Sequence, residues 1–298
     1  MAASTSSQTR SSGSGSVARC KVDESEEIRI ACMKISLITA CYNSEATIRT
    51  AIESVLSQKG VDVEYIVVDG ASTDGTVEII KEYAAKTNDQ RLTTNDFSFK
   101  WLSERDHGMY DAINKGIAMA TGDIIGILNA DDVLASPDTL AHIAAAFTPS
   151  TDALYADIRV VREGETVDTL RGAPMVRYCS AAKWKPWMFR FAAMVPHPSF
   201  YVRRECFEKL GGYSLNYRIC ADFELELRYL YLAKLKATYL PECVVVMRLG
   251  GASTAGWRSN VEINLEDLRA LRANGVWSCL PLIYLKYLFK IWGFVFKR

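Results

Sequence analysis

The sequence predicts an α/β fold, a mostly parallel sheet with helices on both faces. Short apolar runs rich in β-branched residues recur between residues 33 and 157, and they alternate with segments whose apolar residues are spaced as in a helix. Polar clusters directly follow four of the apolar runs. Because the carboxyl ends of parallel strands meet at one edge of such a sheet, these clusters are expected to form a ligand site there.

Local patterns predict the individual elements. Apolar, β-branched runs predict strands at 35–39, 63–68, 100–103, 124–128 and 153–155. Polar caps such as Asn43 and Asp74, breaks such as Gly60, and helical spacing predict helices at 43–57, 74–85, 109–120 and 137–147. Beyond residue 157 the alternation loosens, and the sequence predicts strands at 200–202 and 243–249 and a helix at 221–235.

Composition and charge exclude several classes of protein. The 298 residues are 49% hydrophobic, which is enough for one large domain with extensions. Lys+Arg and Asp+Glu each total 35, so there is no basic footprint and nucleic acid is not an expected partner. The eight cysteines form no C-x-x-C pair and there are only three histidines, so neither a zinc site nor a disulfide framework is expected. Free thiols suit a reducing cytosol.

Three regions are predicted along the chain. Residues 1–32 begin with a Ser- and Gly-rich stretch that lacks the apolar core of a secretory signal, and they are expected to be a disordered tail. Residues 33–250 form the main domain. Residues 251–298 form a C-terminal helical extension.

The C-terminal extension ends in an apolar, aromatic-rich segment at 276–296. Lys286, Lys290 and Lys297 fall on one helical face, which predicts an amphipathic helix lying on a membrane surface with its lysines on the polar side. These lysines and Pro281 interrupt the run that a transmembrane helix would need. The alternative is a terminal helix that packs on the domain or on a second subunit.

Residues 129–132 (Asn-Ala-Asp-Asp) follow a predicted buried strand directly. The adjacent Asp131 and Asp132 repel each other, and a hard divalent cation such as Mg²⁺ or Mn²⁺ would compensate them while bridging to phosphates. A metal on a diphosphate also stabilises that group as it leaves. The alternative is a helix cap, since acidic residues favour helix starts and a helix follows.

Two further segments at strand ends carry groups suited to a nucleotide. In residues 67–76, Asp69 can accept hydrogen bonds from a base or ribose, and Gly70 lets a ligand approach the backbone. Residues 104–116 offer positive charge for a pyrophosphate and acids for hydroxyl groups, on Arg105, Lys115, Asp106 and Asp111. Ordinary turn chemistry and a solvated, capped loop are the alternatives.

Together, residues 36–57, 67–76, 103–116 and 121–132 resemble the family-2 glycosyltransferases with the GT-A fold, in particular those that build bacterial exopolysaccharide or lipopolysaccharide. The likeness covers roughly residues 33–250. It implies inverting transfer of a sugar from a nucleotide-diphosphate sugar to a hydroxyl acceptor, such as a lipid-linked glycan, with Mg²⁺ or Mn²⁺ as cofactor.

The resemblance assigns donor-side roles residue by residue. Asp69 matches the acid that contacts the base, and residues 129–131 match the family's Asp-x-Asp with Asn in the first place. Asp131 thus matches the principal metal ligand, with Asp132 as a second ligand. Arg248 opens a glycine-containing loop that resembles one closing over the donor. The implied donor-binding set is Thr39, Ala40, Asp69, Asp106, Asn114, Lys115, Asn129, Asp131 and Arg248.

On the acceptor side, residues 220–228 resemble a motif in which an acidic pair opens a helix and its Asp is the catalytic base. Asp222 takes the place of that base, although the first acid of the pair is Ala221 here. A simple helix cap is the alternative for Asp222. Glu224 and Glu226 are expected at the surface or in ion pairs. His197 is expected to line the acceptor pocket, with a packed structural histidine as the alternative.

The resulting hypothesis is a glycosyltransferase in the cytoplasm, bound peripherally at the inner face of the cell membrane. A sugar-1-phosphate nucleotidyltransferase would instead carry a Gly-rich phosphate loop after the first strand, where this chain has residues 39–44 without glycine. A catalytically impaired, membrane-associated assembly partner is a second alternative. Asn129 and Ala221 leave room for it, whereas Asp69, Asp131 and Asp222 argue against it.

Overall fold

The computed structural model describes residues 33–87, 97–162, 164–250 and 257–295, with side chains from 260 to 287 in the last range. The predicted tail at 1–32 lies outside the described residues, as do Lys297 and the side chain of Lys290.

The strands of the described chain form one mixed sheet. They are β1 (Lys34–Cys41), β2 (Asp62–Asp69), β3 (Phe97–Ser103), β4 (Ile124–Ile127), β5 (Val133–Leu134), β6 (Ala153–Val161), β7 (Met175–Cys179), β8 (Tyr201–Arg203) and β9 (Ala237–Arg248). Their order is β3-β2-β1-β4-β8-β6-β9-β5, and β7 pairs with β6.

The helices cover both faces of this sheet. They are α1 (Ile48–Leu56), α2 (Thr76–Thr87), α3 (Met109–Met119), α4 (Thr139–Ala146), α5 (Val167–Gly172), α6 (Arg204–Leu210), α7 (Ala221–Glu226), α8 (Trp257–Ala273) and α9 (Leu280–Val295). One apolar core joins the sheet to α1, α2 and α4, and a second joins it to α3, α7, α8 and α9. The two C-terminal helices therefore share a core with the main domain.

The first half of the sheet is parallel, as the sequence predicts. β1 pairs in parallel with β2 and β4, and β2 pairs in parallel with β3. Every residue of β2 after Asp62 is buried, as expected for a strand covered by helices on both faces. The predicted α/β fold class with a mostly parallel sheet and helices on both faces is confirmed.

The second half is antiparallel in part and was predicted less completely. β8 runs antiparallel to both β4 and β6. β9 begins at Ala237 rather than 243, because Pro241 and Glu242 sit at a register shift opposite β6 and break the apolar pattern. α7 ends at Glu226 and continues as a π-helical turn at Leu227–Leu232. The short β5, the exposed β7, and α5 and α6 were not predicted, whereas α8 lies within the helical extension predicted at 251–298.

Lys286, on the last helix, points toward the domain. Lys286 is only 8% exposed, and its Nζ lies 2.8 Å from Oδ2 of Asp267 on α8. The prediction that Lys286 belongs to an exposed polar face is therefore wrong, because a buried carboxylate holds its ammonium group. Trp277, Tyr284 and Leu285 are exposed instead. Within the described ranges, no helix is both long and apolar enough to cross a bilayer.

Candidate donor and acceptor site

Three strand ends lie side by side at the carboxyl edge of the sheet. Cys41 at the end of β1 is in register with Asp69 of β2, which is in register with Ser103 of β3. On the other side of β1, Leu128 N donates to Ile38 O, so the 129–132 turn leaves the sheet at the same edge. The structure thus brings together the polar clusters that the sequence places on separate strands.

Asp69 is fully buried beneath the first of these loops. Its Oδ2 accepts from Ser72 N at 3.0 Å and from Ser103 Oγ at 2.7 Å, and its Oδ1 accepts from Ser72 Oγ. The carboxylate therefore joins the ends of β2 and β3 to the loop between β2 and α2. Its contact with a nucleotide base stays a prediction.

The residue after Asp69 must be small. A Cβ on Gly70 would lie 2.5 Å from Oδ2 of Asp106, so the absence of a side chain lets this second carboxylate pack across the loop. Asp106 is half-buried, and its Oδ1 accepts from Gly108 N at 2.9 Å, which fixes the turn before α3. Asp106 is therefore placed next to the predicted nucleotide loop.

Thr39 and Ala40 occupy the end of β1. Thr39 is fully buried, donates from Oγ1 to Leu128 O at 2.8 Å and accepts from Tyr65 OH at 2.9 Å. It fixes β1 against β4 below the site, whereas Ala40 is half-buried and nearer the surface. Their predicted donor contacts remain predictions.

Lys115 and Asn114 on α3 are both engaged with protein groups. Lys115 Nζ lies 2.8 Å from Glu104 Oε1 and 3.6 Å from Asp111 Oδ2. The side chain of Asn114 donates to Tyr213 O and accepts from Tyr213 N, both at 2.8 Å. Asn114 thus anchors the segment that carries Tyr213, and its donor contact remains a prediction.

The acidic turn holds two carboxylates in different environments. Asp131 is half-buried, whereas Asp132 is 1% exposed and accepts from Asn129 Nδ2 at 2.8 Å and from Arg248 N at 3.2 Å. Burial, together with the charge of Asp131, raises the pKa of Asp132 to about 8. Burial also raises the pKa of Asp131.

Arg248 fastens this turn to three other parts of the chain. Its Nε donates to Asp131 O at 3.0 Å, its Nη2 donates to Thr50 Oγ1 at 3.0 Å, and its Nη1 donates to Gly164 O. The guanidinium group thereby ties β9 to α1 and to the loop after β6. The predicted contact of Arg248 with the donor stays a prediction, and residues 251–256 of the following loop lie outside the described residues.

The turn fits a magnesium or manganese ion that arrives with a diphosphate. No group of three or more His, Cys, Asp or Glu side chains is arranged around a metal position in the described part of the chain. Mg²⁺, however, is commonly bound through one or two carboxylates, with phosphate oxygens and water completing the shell. Asp131 and Oδ1 of Asn129 suit that role better than Asp132, whose two oxygens already accept hydrogen bonds.

Asp222 and His197, the two residues predicted for the acceptor side, are linked to each other through two tyrosines. Oδ1 of Asp222 accepts from Phe223 N at 2.8 Å and lies 3.2 Å from Tyr110 OH. The rings of Tyr110 and Tyr213 stack with centroids 5.6 Å apart, and Tyr213 OH lies 2.7 Å from Nε2 of His197. Burial lowers the pKa of His197, and the charge of Asp222 opposes that shift.

Glu224 and Glu226 differ sharply from each other. Glu224 is paired with Arg228 at 2.8 Å, as predicted. Glu226 is fully buried and has no ion-pair partner among the described residues, so the prediction of a surface or ion-pair role for it is wrong. Its Oε2 accepts from Val195 N at 3.2 Å, and no group in the described part of the chain hydrogen-bonds its Oε1. Burial and, second, the charge of Asp222 raise the pKa of Glu226 well above its usual range.

Comparison of this sequence with known protein families identifies the family to which the chain belongs. Residues 36–211 match glycosyl transferase family 2, which is more than half of the chain, and the protein belongs to that family. It is a glycosyltransferase with the GT-A type of fold. Membership of this family removes the nucleotidyltransferase alternative.

Two relatives illustrate the range of sequence similarity. The PGL/p-HBAD biosynthesis glycosyltransferase of Mycobacterium bovis is 28% identical over 239 residues, which cover 79% of this chain and 83% of that protein. The O-antigen biosynthesis protein RfbC of Myxococcus xanthus is 33% identical over 225 residues, which cover 74% of this chain and 16% of RfbC.

Solved structures show the shared fold. S. aureus TarS 1-349 in complex with UDP-GlcNAc has a TM-score of 0.54 at 18% identity, covering 80% of this chain and 66% of that one. The chain spans 40% of a longer TarS structure. The mannosyltransferase PcManGT from Pyrobaculum calidifontis, in complex with GDP-Man and Mn²⁺, has a TM-score of 0.54 at 19% identity, covering 89% of this chain and 81% of that one.

Proposed function

We propose that this glycosyltransferase inverts the anomeric carbon as it moves a sugar from a nucleotide-diphosphate sugar to a hydroxyl group of a lipid-linked glycan. The observation that carries the proposal is the placement of Asp222. This half-buried carboxylate is on the second residue of α7, and its Oδ1 accepts from Phe223 N at 2.8 Å. Tyr110 OH, which also donates to Ile219 O, lies 3.2 Å from the same oxygen. A fixed carboxylate at the start of a helix is a suitable general base for an acceptor hydroxyl.

In the proposed reaction, the acceptor oxygen forms a bond to the anomeric carbon as the bond from that carbon to the diphosphate breaks. The electron pair leaves with the diphosphate, and the acceptor proton moves to Asp222. Displacement from the face opposite the leaving group inverts the anomeric carbon. Asp131 and Asn129 would hold Mg²⁺ or Mn²⁺, which neutralises charge on the leaving diphosphate.

The relatives support the substrate classes. The names of two relatives refer to PGL/p-HBAD biosynthesis and to O-antigen biosynthesis, and two structural neighbours hold UDP-GlcNAc or GDP-Man. One of these neighbours also holds Mn²⁺. We therefore propose a nucleotide-sugar donor, a divalent metal and a glycan or glycolipid acceptor for this chain.

Membrane association at the cytoplasmic face forms part of the proposal. Trp277, Tyr284 and Leu285 are 69%, 46% and 36% exposed near the start of α9, while Lys286 is turned inward. Exposed aromatic and aliphatic side chains of this kind insert into the interface of a bilayer. Such a surface would bring the site to an acceptor that is anchored in lipid.

Catalysis is tested with purified protein, Mn²⁺ and a panel of UDP-, GDP- and dTDP-sugars, each offered with a bacterial glycolipid extract. Asp222→Asn is expected to lower transfer by about 10²–10⁴-fold, because it removes the base, while donor binding stays unchanged. Asp138→Asn is the matched control, since Asp138 is an exposed acid that makes no side-chain cap. If Asp222→Asn transferred sugar at the wild-type rate, Asp222 would not be the base. If the wild type consumed none of the donors, the proposed reaction would be wrong.

Membrane binding is tested by point substitution, because truncating α9 would also leave Asp267 buried without Lys286. The triple variant Trp277→Ser, Tyr284→Ser and Leu285→Ser is expected to lose co-sedimentation with phosphatidylglycerol vesicles. Leu215→Ser, at a residue that is 55% exposed, serves as the control. Equal sedimentation of the triple variant and the wild type would contradict this part of the proposal.

A further inference from the structure

We infer that an aromatic shelf formed by Tyr155, Tyr178 and Tyr239 around Asp157 binds a sugar ring of the acceptor. The shelf lies on β6, β7 and β9, outside the residues that the sequence assigned to the site. The inference rests on the proposed function only in taking the acceptor to be a glycan.

A buried carboxylate fixes the shelf from below. Asp157 is 4% exposed, and its oxygens accept from Ala181 N at 2.8 Å, from Tyr178 OH at 3.0 Å and from Tyr239 OH at 3.0 Å. Two tyrosine hydroxyls are thus anchored on one acid, and the loop after β7 is anchored on it as well. Because the acid already accepts these bonds, it orients the rings rather than binding a ligand itself.

The rings of Tyr155, Tyr239 and Trp184 contact one another in a row, and Tyr178 joins them through its hydroxyl bond to Asp157. Tyr155 lies 5.7 Å from Tyr239 and 5.5 Å from the ring of Trp184, whose Nε1 donates to Ala193 O at 3.0 Å. Tyr178 is 45% exposed, and Tyr155 and Tyr239 are half-buried. Tyrosine rings held in this way offer rigid apolar area at little cost in conformational entropy.

The register of the sheet places the shelf at the height of the acidic turn. Ala153 of β6 and Ile125 of β4 both pair with Val202 of β8, so the two strands are level and point the same way. Four residues further along each strand lie Asp157 and Asn129. The shelf therefore lies level with the acidic turn, in the middle of the longer strand β6, and is laterally displaced from that turn by β8.

The segment with His197 lies between the shelf and the acidic turn. Ser199, two residues after His197, donates from Oγ to Ala156 O at 2.7 Å, next to Asp157 in β6. His197 is linked in turn to Asp222, because Tyr213 OH lies 2.7 Å from Nε2 of His197, the Tyr213 ring stacks on Tyr110, and Tyr110 OH lies 3.2 Å from Oδ1 of Asp222. The shelf and the proposed base therefore both connect to the segment with His197. The carbon–hydrogen faces of a pyranose ring match apolar aromatic surfaces, which are common linings of ligand sites.

The test measures sugar binding without catalysis. Saturation-transfer-difference NMR is recorded with the methyl glycosides of glucose, galactose, mannose, rhamnose, fucose and N-acetylglucosamine as probes. We expect the ring protons of at least one glycoside to receive saturation from the wild type. Tyr178→Ala should reduce that signal at least fivefold, whereas Tyr178→Phe, which keeps the ring, should retain most of it.

Leu265→Ala is the control, because Leu265 on α8 is 52% exposed, similar to the 45% of Tyr178, and lies outside both proposed binding surfaces. It should leave the signal unchanged. Absence of signal from all six glycosides, or an unchanged signal in Tyr178→Ala, would overturn the shelf. Failure of the proposed function is distinguishable, since sugar binding that depends on Tyr178 would persist in a protein that consumes no donor.

Discussion

Replacing Glu226 with Gln is expected to stabilise the protein, by an amount that grows with pH. Glu226 is fully buried, and its Oε1 has no hydrogen-bond partner among the residues that the structure describes. Burial and the nearby charge of Asp222 raise the pKa of Glu226 well above the usual range. Above the ordinary pKa of a glutamic acid, the unfolded chain has lost this proton while the native chain retains it. Rising pH therefore favours unfolding of the wild type.

The magnitude follows from proton linkage. Over the pH range in which only the native state holds the proton, stability falls by about 1.4 kcal/mol for each pH unit, a tenfold change in the folding equilibrium. Gln cannot lose a proton, and its side-chain oxygen can still accept from Val195 N, as Oε2 of Glu226 does at 3.2 Å. All other titrating groups are shared by both proteins, so they cancel in the difference.

The assay is urea unfolding followed by circular dichroism at pH 5, 6 and 7 for the wild type and the variant. The difference in unfolding free energy should widen from each pH to the next. Glu226→Leu is the control: it leaves Val195 N without its acceptor and should be about 1–3 kcal/mol less stable than the Gln variant at every pH. Parallel stability curves for the wild type and Glu226→Gln would refute the reasoning, because they would mean that Glu226 ionises alike in both states.

Two further predictions concern the ion pair between Lys286 and Asp267 and the acidic turn at residues 129–132. Lys286→Met leaves Asp267 buried without its partner and should lower the free energy of unfolding by about 3–5 kcal/mol, whereas the double variant with Asp267→Leu should recover most of that loss in the same urea titration. Asp131→Asn should raise the Mn²⁺ concentration that half-saturates donor hydrolysis by about tenfold or more. The reason is that a neutral amide oxygen binds a hard cation more weakly than a carboxylate does. A wild-type Mn²⁺ dependence in Asp131→Asn would show that Asp131 is not a ligand.

The parallel half of the fold could be predicted because its pattern is local. Apolar runs buried on both faces identify the strands, and polar residues mark their ends. The same rule located Asp69 and Asp131 at one edge of the sheet. It could not show that the carboxylate of Asp69 turns inward, because Ser103 reaches it only through the register of β2 and β3.

The features that the sequence did not predict depend on contacts between segments that are distant in the chain. From the sequence alone, Glu226 is expected to be an ordinary polar residue on a helix. Its burial arises because the segment that contains Val195 packs over it. From the sequence alone, Lys286 is expected on an exposed polar face. Only the packing of α9 against α8 shows that its ammonium group is paired with the carboxylate of Asp267. Asp157 and Tyr178 lie in the region where the alternation loosens, so no periodic pattern marked the shelf.

The support of the acidic turn by β9 has a consequence for how the protein is made. β5, which follows the turn at once, pairs with β9 alone among the described strands, and Arg248 N donates to Asp132 across 116 positions of sequence. A nascent chain that ends before Ala237 would hold the strands of the nucleotide side but lack the support of this turn. Because domains of this size fold as units, the acidic turn would become ordered only after β9 has been synthesised.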